Sequence, residues 1–152
     1  MQCIWSDILV AADDRQVMLL GLLDLSAAFD CVDHSMLLEH LLSAFGLTDL
    51  VLDWVRSFLT NRMQQIAYSG QLSSVQSVLF EVLQGSILGL LLYILYTAEL
   101  FLVVDHHGLS LHQYADDKQV YVITPVGDAE AAVGRLTACL FDIEAWLKAS
   151  RL

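Results

Sequence analysis

The tetrapeptide Tyr114-Ala115-Asp116-Asp117 constrains this chain more than any other stretch, because it sets two carboxylates side by side between two alternating apolar runs. Leu109-Ser110-Leu111-His112-Gln113-Tyr114 precedes the acids and Gln119-Val120-Tyr121-Val122-Ile123 follows them. Alternation on both sides of so short a polar interval predicts a β-hairpin whose tight turn carries both acids. In a straight strand neighbouring side chains point to opposite faces, so consecutive aspartates serve one place only where the chain bends. Adjacent like charges also repel, and solvent or a cation must offset the repulsion. A plain solvated turn meets the same requirement, since Asp is a common turn residue.

A second acid stands at the end of an apolar run. Val17-Met18-Leu19-Leu20-Gly21-Leu22-Leu23 lacks alternation and predicts a central strand buried on both faces, with Asp24 at its C-terminal end. An acid there is costly unless it is paired, hydrogen-bonded or metal-bound. A capping or turn role is the alternative for Asp24. Residues 1–16 predict one helix ending in Asp13-Asp14-Arg15.

Helical periodicity organises much of the remainder. Residues 33–45 put Leu37, Leu41 and Phe45 on one stripe, with Asp33 or Ser35 as cap and Gly46 as stop. Thr48 caps a second helix that ends near Asn61 and turns Val51, Trp54, Val55 and Phe58 inward. Residues 63–80 predict a strand pair around Ser69-Gly70, closed by Val78-Leu79-Phe80. From Asp128 to Leu152, Val133, Leu136, Leu140, Ile143 and Leu147 form the stripe of a helix that covers a sheet. Lys148 and Arg151 fall in its last turn, where the helix dipole favours cations.

The most hydrophobic stretch runs from Ile87 to Ala98. Extended through Glu99 to Val104, it approaches the roughly 18–20 residues that span a bilayer. Glu99 would then lie inside the apolar stretch, and no Lys or Arg flanks it closely. A buried helix is therefore expected, with membrane association through residues 87–104 as the alternative. Asp105-His106-His107-Gly108 reads as an exposed turn, and His34 and His40, six apart, do not share a helical face as metal ligands would.

At 152 residues the chain makes one domain, 1–152. Eighteen acidic residues against seven Lys and Arg give a net charge of −11, the wrong sign for gripping a polyphosphate unaided. A nucleic-acid role then needs cations or a further basic region. Cys3, Cys31 and Cys139 show no CxxC spacing and read as reduced, mostly buried thiols of an intracellular protein, cytoplasmic or nuclear. The first residues carry no basic region ahead of an apolar core, so they do not resemble a secretory signal.

Three pieces occur in order: Leu23-Asp24-Leu25-Ser26-Ala27-Ala28-Phe29-Asp30-Cys31-Val32-Asp33-His34, then Gln84-Gly85-Ser86-Ile87-Leu88-Gly89, then the stretch from Leu109 to Asp117. In this order and at these separations the chain resembles the reverse transcriptases of LINE-type non-LTR retrotransposons, from about residue 8 to its end. The resemblance implies an α+β fold, a polymerase palm whose antiparallel sheet is backed by helices, with part of the fingers and no thumb. It implies RNA-directed DNA synthesis from deoxynucleoside triphosphates on an RNA template and DNA primer, with two Mg²⁺ ions and Mn²⁺ as a substitute. Two hard cations about 3.5–4 Å apart activate the primer hydroxyl and stabilise the leaving pyrophosphate, and carboxylates suit them as ligands.

By this resemblance Asp24, Asp116 and Asp117 are the catalytic, metal-binding acids. Phe29 matches the aromatic position that excludes a ribose 2′-hydroxyl, Gln84 and Gly85 lie along the incoming nucleotide, and Tyr114 and Ala115 line the primer side. The sequence also departs from the resembled pattern. Leu83 and Leu90 stand where prolines are usual, Glu81 where a small residue is usual, and Lys118 where a small polar residue is usual. Lys118 is placed to pair with Asp117 and compete with metal. The basic fingers and the thumb are expected to lie outside the chain, which leaves weak or no nucleic-acid binding and little activity for this portion alone. A non-enzymatic remnant acting as an interaction protein is the alternative function.

Overall fold

The computed structural model describes residues 2–25, 27–83 and 85–152. In chain order its elements are α1 (Gln2–Asp13), β1 (Gln16–Leu23), α2 (His34–Ser43), α3 (Asp49–Leu59), β2 (Met63–Gln64), β3 (Ala67–Tyr68), β4 (Gln71–Leu72), β5 (Gln76–Ser77), α4 (Ile87–Tyr96), α5 (Leu100–His106), β6 (Ser110–Tyr114), β7 (Asp117–Pro125) and α6 (Ala129–Ala149). Helices mixed with antiparallel strands make this an α+β protein. Two compact units divide the chain, Met1–Ser26 with Ala98–Ala149 and Ala27–Thr97 with Ser150–Leu152.

The first unit is built on the hairpin. β7 lies in the middle of a three-stranded sheet of order β1-β7-β6, antiparallel to both neighbours. Its alternation is complete: Lys118, Val120, Val122 and Thr124 are buried, while Gln119, Tyr121 and Ile123 between them are half-buried. Val120 and Val122 pack with Leu100 and Val104 of α5 and with Ala132, Cys139 and Ile143 of α6, so the two helices cover that face. On the other face Tyr121 donates its hydroxyl to Asp7 of α1 at 2.8 Å.

β1 corrects the expectation of a central strand. It is an edge strand, and Leu20 and Leu22 are 39% and 70% exposed. An apolar run without alternation is compatible with burial on both faces but does not require it. α6 corrects one position of its stripe, since Val133 is half exposed while Ala132 lies against the sheet. α5 continues through His106, so Asp105 and His106 are its last turn and only His107 and Gly108 form the expected turn; all but His107 are exposed, and His107 bonds Asp142 at 2.8 Å. Lys148 pairs with Glu144 at 2.5 Å.

The second unit begins with a strong helix cap. Asp33 accepts hydrogen bonds from the backbone N–H of Ser35 (2.9 Å) and Met36 (3.0 Å), and Arg151 donates to its other oxygen. Burial alone would push the Asp33 carboxyl up, but the Met36 and Ser35 amides and the Arg151 guanidinium outweigh it and hold the pKa below 3.8. The stabilisation is therefore complete above the unfolded value and is lost as pH falls through the lower folded value. Replacing Asp33 with Ala is expected to cost about 2 kcal/mol, mostly the lost cap, because an ion pair to a largely exposed Arg151 adds at most about 1 kcal/mol. Urea melts at neutral pH and near pH 3 check this: the loss should shrink at the acid end.

α2 buries Leu37 and Leu41 as expected, and Gly46 with φ +63° turns the chain out of it. α3 is rotated from expectation. Leu52, Val55 and Leu59 are buried, whereas Val51 and Trp54 are more than half exposed. Both sets obey helical spacing, and the bulk of Trp54 pointed to the wrong one. Between α3 and α4 lie two minimal ribbons, β2 with β5 and β3 with β4, the latter turning through Ser69-Gly70, both at positive φ. Val78-Leu79-Phe80 is not a strand arm; Phe80 makes one isolated bridge to Asp33.

The run Ile87–His106 is long and apolar enough to cross a membrane, with mean hydropathy 2.3 and 39% of it buried. It is not one helix, because α4 stops at Tyr96 and α5 starts at Leu100. α4 buries Gly89, Leu92, Tyr93 and Tyr96. Among the described residues Cys31 and Cys139 are free thiols, and the Cys3 side chain lies outside them.

Candidate active site

The hairpin turn is as short as an antiparallel connection allows. Tyr114 pairs with Asp117, leaving Ala115 and Asp116 as the two central residues. Ala115 takes φ +53°, a conformation glycine adopts freely and alanine only against strain of about 1 kcal/mol or more. The ladders on either side hold it there. Asp116 is thus the bend and Asp117 the first residue of β7.

Register decides which groups meet. Opposite Lys118 stands Leu23, the last paired residue of β1, so Asp24 follows at the same end of the sheet as the hairpin acids. Asp24 and Asp117 are exposed and Asp116 is half-buried. Three acids from two chain segments thereby occupy one end of one sheet. Tyr114 stands beside them, 78% exposed.

The face opposite α5 and α6 carries a cavity of about 210 Å³ lined by His112, Tyr114, Asp117 and Gln119. Cross-strand pairing of His112 with Gln119 and of Tyr114 with Asp117 brings these four together. The Gln119 Oε1 is buried without a hydrogen-bond partner among the described residues. His112 and Gln119 were missed as site residues from sequence. Their signal was present, since both sit two residues from a named position and therefore share its face.

Lys118 lies on the other face. It is 1% exposed, and its Nζ donates to the Ala115 carbonyl at 3.5 Å, inside the turn. Strand alternation sends its side chain to the opposite face of β7 from that of Asp117, while the charges of Asp116 and Asp117 still act on it. Burial pulls its pKa down to about 8, while the nearby charges of Asp116 and Asp117 pull it up. The acids thus feel a cation through the floor of the turn.

No three His, Cys, Asp or Glu side chains among the described residues converge as a metal-holding group. The three carboxylates share an end of the sheet without closing on one point.

The remaining candidate residues lie in the second unit. Phe29 is 7% exposed and stacks on Tyr93 with ring centroids 4.5 Å apart, so its ring is part of that unit's core. Gly85 has φ +87° and turns the chain ahead of α4; Gln84 lies outside the described residues. Ser86 caps α4: its hydroxyl accepts from the Gly89 N–H at 2.9 Å and donates to the Leu83 carbonyl at 2.8 Å. A Cβ on Gly89 would stand 2.2 Å from that carbonyl oxygen, so the first turn of α4 closes only over glycine.

A family model described as reverse transcriptase (RNA-dependent DNA polymerase) matches residues 3–152. No curated protein matches the chain.

Proposed function

The chain belongs to the reverse transcriptase (RNA-dependent DNA polymerase) family, and from that premise we propose that residues 1–152 form a palm region of a LINE-type retrotransposon enzyme. Its work is template-directed nucleotidyl transfer, with Asp24, Asp116 and Asp117 as the acids that take Mg²⁺ or Mn²⁺. The observation that supports this reading is the register of β1 against β7, which carries Asp24 to the hairpin acids from a segment about ninety residues away. Deoxynucleoside triphosphates, an RNA template and a DNA primer are the substrates so implied, in an intracellular setting.

Carboxylates that do not converge must be drawn together by the cation, and that cost weakens binding. Mg²⁺ or Mn²⁺ at about ten times its dissociation constant is expected to stabilise the protein by about 1.4 kcal/mol, a few degrees in melting temperature. Asp24→Asn and Asp116→Asn should abolish the shift while raising the metal-free melting point slightly, because each removes one of several repelling charges. Primer extension on an RNA template, present in the parent and absent in both variants, is the companion measurement. Cation stabilisation that survives in both variants would overturn the assignment of these acids.

A further inference from the structure

The second unit contains an unsatisfied cation in a place that matches a ligand. Arg62 buries its Nη1 with no hydrogen-bond partner among the described residues, while its guanidinium lies 5.6 Å from the centre of the Phe58 ring. It lines a cavity of about 620 Å³ together with Arg56, Asn61 and Phe80. Arg56 gives one Nη1 to Asp53 at 2.6 Å and keeps further donors. Phe80 is 45% exposed and lines the same cavity. Of the seven Lys and Arg in the chain, two meet here.

A guanidinium nitrogen withdrawn from water and left without an acceptor is unfavourable, and an anionic oxygen in the cavity would remove the deficit. A cation beside an open aromatic ring is the pair of features that holds a single nucleic-acid strand, phosphate on the charge and base on the ring. We propose that this cavity binds one nucleotide of a single strand, with a backbone phosphate on Arg62 and Arg56 and its base stacked on Phe80. The choice of a nucleic-acid strand over a free anion rests on the polymerase reading. The arginine pair stands without it.

A net charge of −11 opposes any polyanion at long range, but salt near 0.1 M confines that field to about 10 Å and leaves the local pair effective. The test is fluorescence anisotropy of a labelled single strand of about 12 nucleotides, in EDTA, at salt from about 0.1 to 0.3 M. Arg62→Met keeps an apolar stem over Phe58 and is expected to weaken binding about tenfold and reduce the salt slope by about 0.7. Phe80→Leu is expected to weaken it about fivefold or more with the slope unchanged. Arg56→Gln, at an exposed position, is the second variant should Arg62→Met fold badly, with a smaller loss and the same sign in slope.

No measurable binding by the parent, or equal affinity in Arg62→Met and Arg56→Gln, would overturn the proposal. Displacement by inorganic phosphate with no effect of Phe80→Leu would reduce the cavity to a simple anion site, which also overturns it. Asp24→Asn and Asp116→Asn serve as the separating controls. They abolish primer extension if the catalytic reading holds and leave strand binding in EDTA intact, so the two claims fail separately.

Discussion

Replacing Gly89 with alanine is expected to destabilise the protein by about 3 kcal/mol, read as a fall of about 10 °C in melting temperature. The added carbon would stand 2.2 Å from the Leu83 carbonyl oxygen, 2.7 Å from the Ser86 hydroxyl and 3.0 Å from the Leu83 carbonyl carbon. Two of those three atoms are backbone, so relief requires moving the chain that enters α4. The same movement breaks the Ser86 cap, whose loss is worth about 1 kcal/mol by itself. Gly134, in the middle of α6 with nothing within 4 Å of its missing side chain, is the control. Alanine there should stabilise by up to about 1 kcal/mol. Equal effects at the two positions would mean that the approach of Leu83 to α4 is not what the glycine serves.

Lys118→Met is expected to act in the opposite direction. A lysine whose pKa is about 8 in the folded chain and 10.5 when free opposes folding below pH 8 by about 3 kcal/mol. Methionine removes that cost, and losing the long hydrogen bond to the Ala115 carbonyl returns up to about 1 kcal/mol. A net gain of about 2 kcal/mol at pH 7 follows. Because the folded pKa lies below the unfolded one, the unfolded chain binds the extra proton between pH 8 and 10.5, and parental stability rises through that window. The variant should lack this rise, so its advantage shrinks through the window and the two stability curves meet or cross near pH 10. Urea melts at pH 7 and pH 10 measure both features, and a constant offset between them would refute the burial account. Removing this cation also leaves Asp116 and Asp117 with one fewer positive neighbour, which favours cation uptake at the turn.

Which features were legible from sequence follows from how local their causes are. The hairpin was legible because alternation on both arms brackets a short polar interval, although only Asp116 of the two acids lies at the centre of the turn and Asp117 already belongs to β7. The Gly46 stop of α2 was legible for the same reason, and the cap was narrowed to Asp33 or Ser35, of which Asp33 holds it; each depends on residues within one helical turn. The α3 face was not, since Leu52-Val55-Leu59 and the Val51-Trp54-Val55-Phe58 set both fit a helix and only the neighbouring elements choose between them. The edge position of β1 was hidden in the same way, because strand order is a property of the sheet and not of the strand. Asp24 became interpretable only through the resemblance, and the register supplies the local reason. Gly89 stood inside the quoted Gln84–Gly89 stretch without a stated role, because the carbonyl that demands it comes from Leu83, outside the helix.

The three-stranded sheet has a further consequence. With β7 in the middle, β1 and β6 each turn one row of backbone amides and carbonyls away from the sheet. Such rows accept another extended chain as readily as their own neighbour, and a second copy of this protein supplies one. Electrostatic repulsion between copies restrains that encounter, and it vanishes near the isoelectric point of about 4.5. Light scattering that grows as the pH is lowered toward that value is the expected outcome, and a solution that stays clear there would show that these sheet edges do not pair between copies.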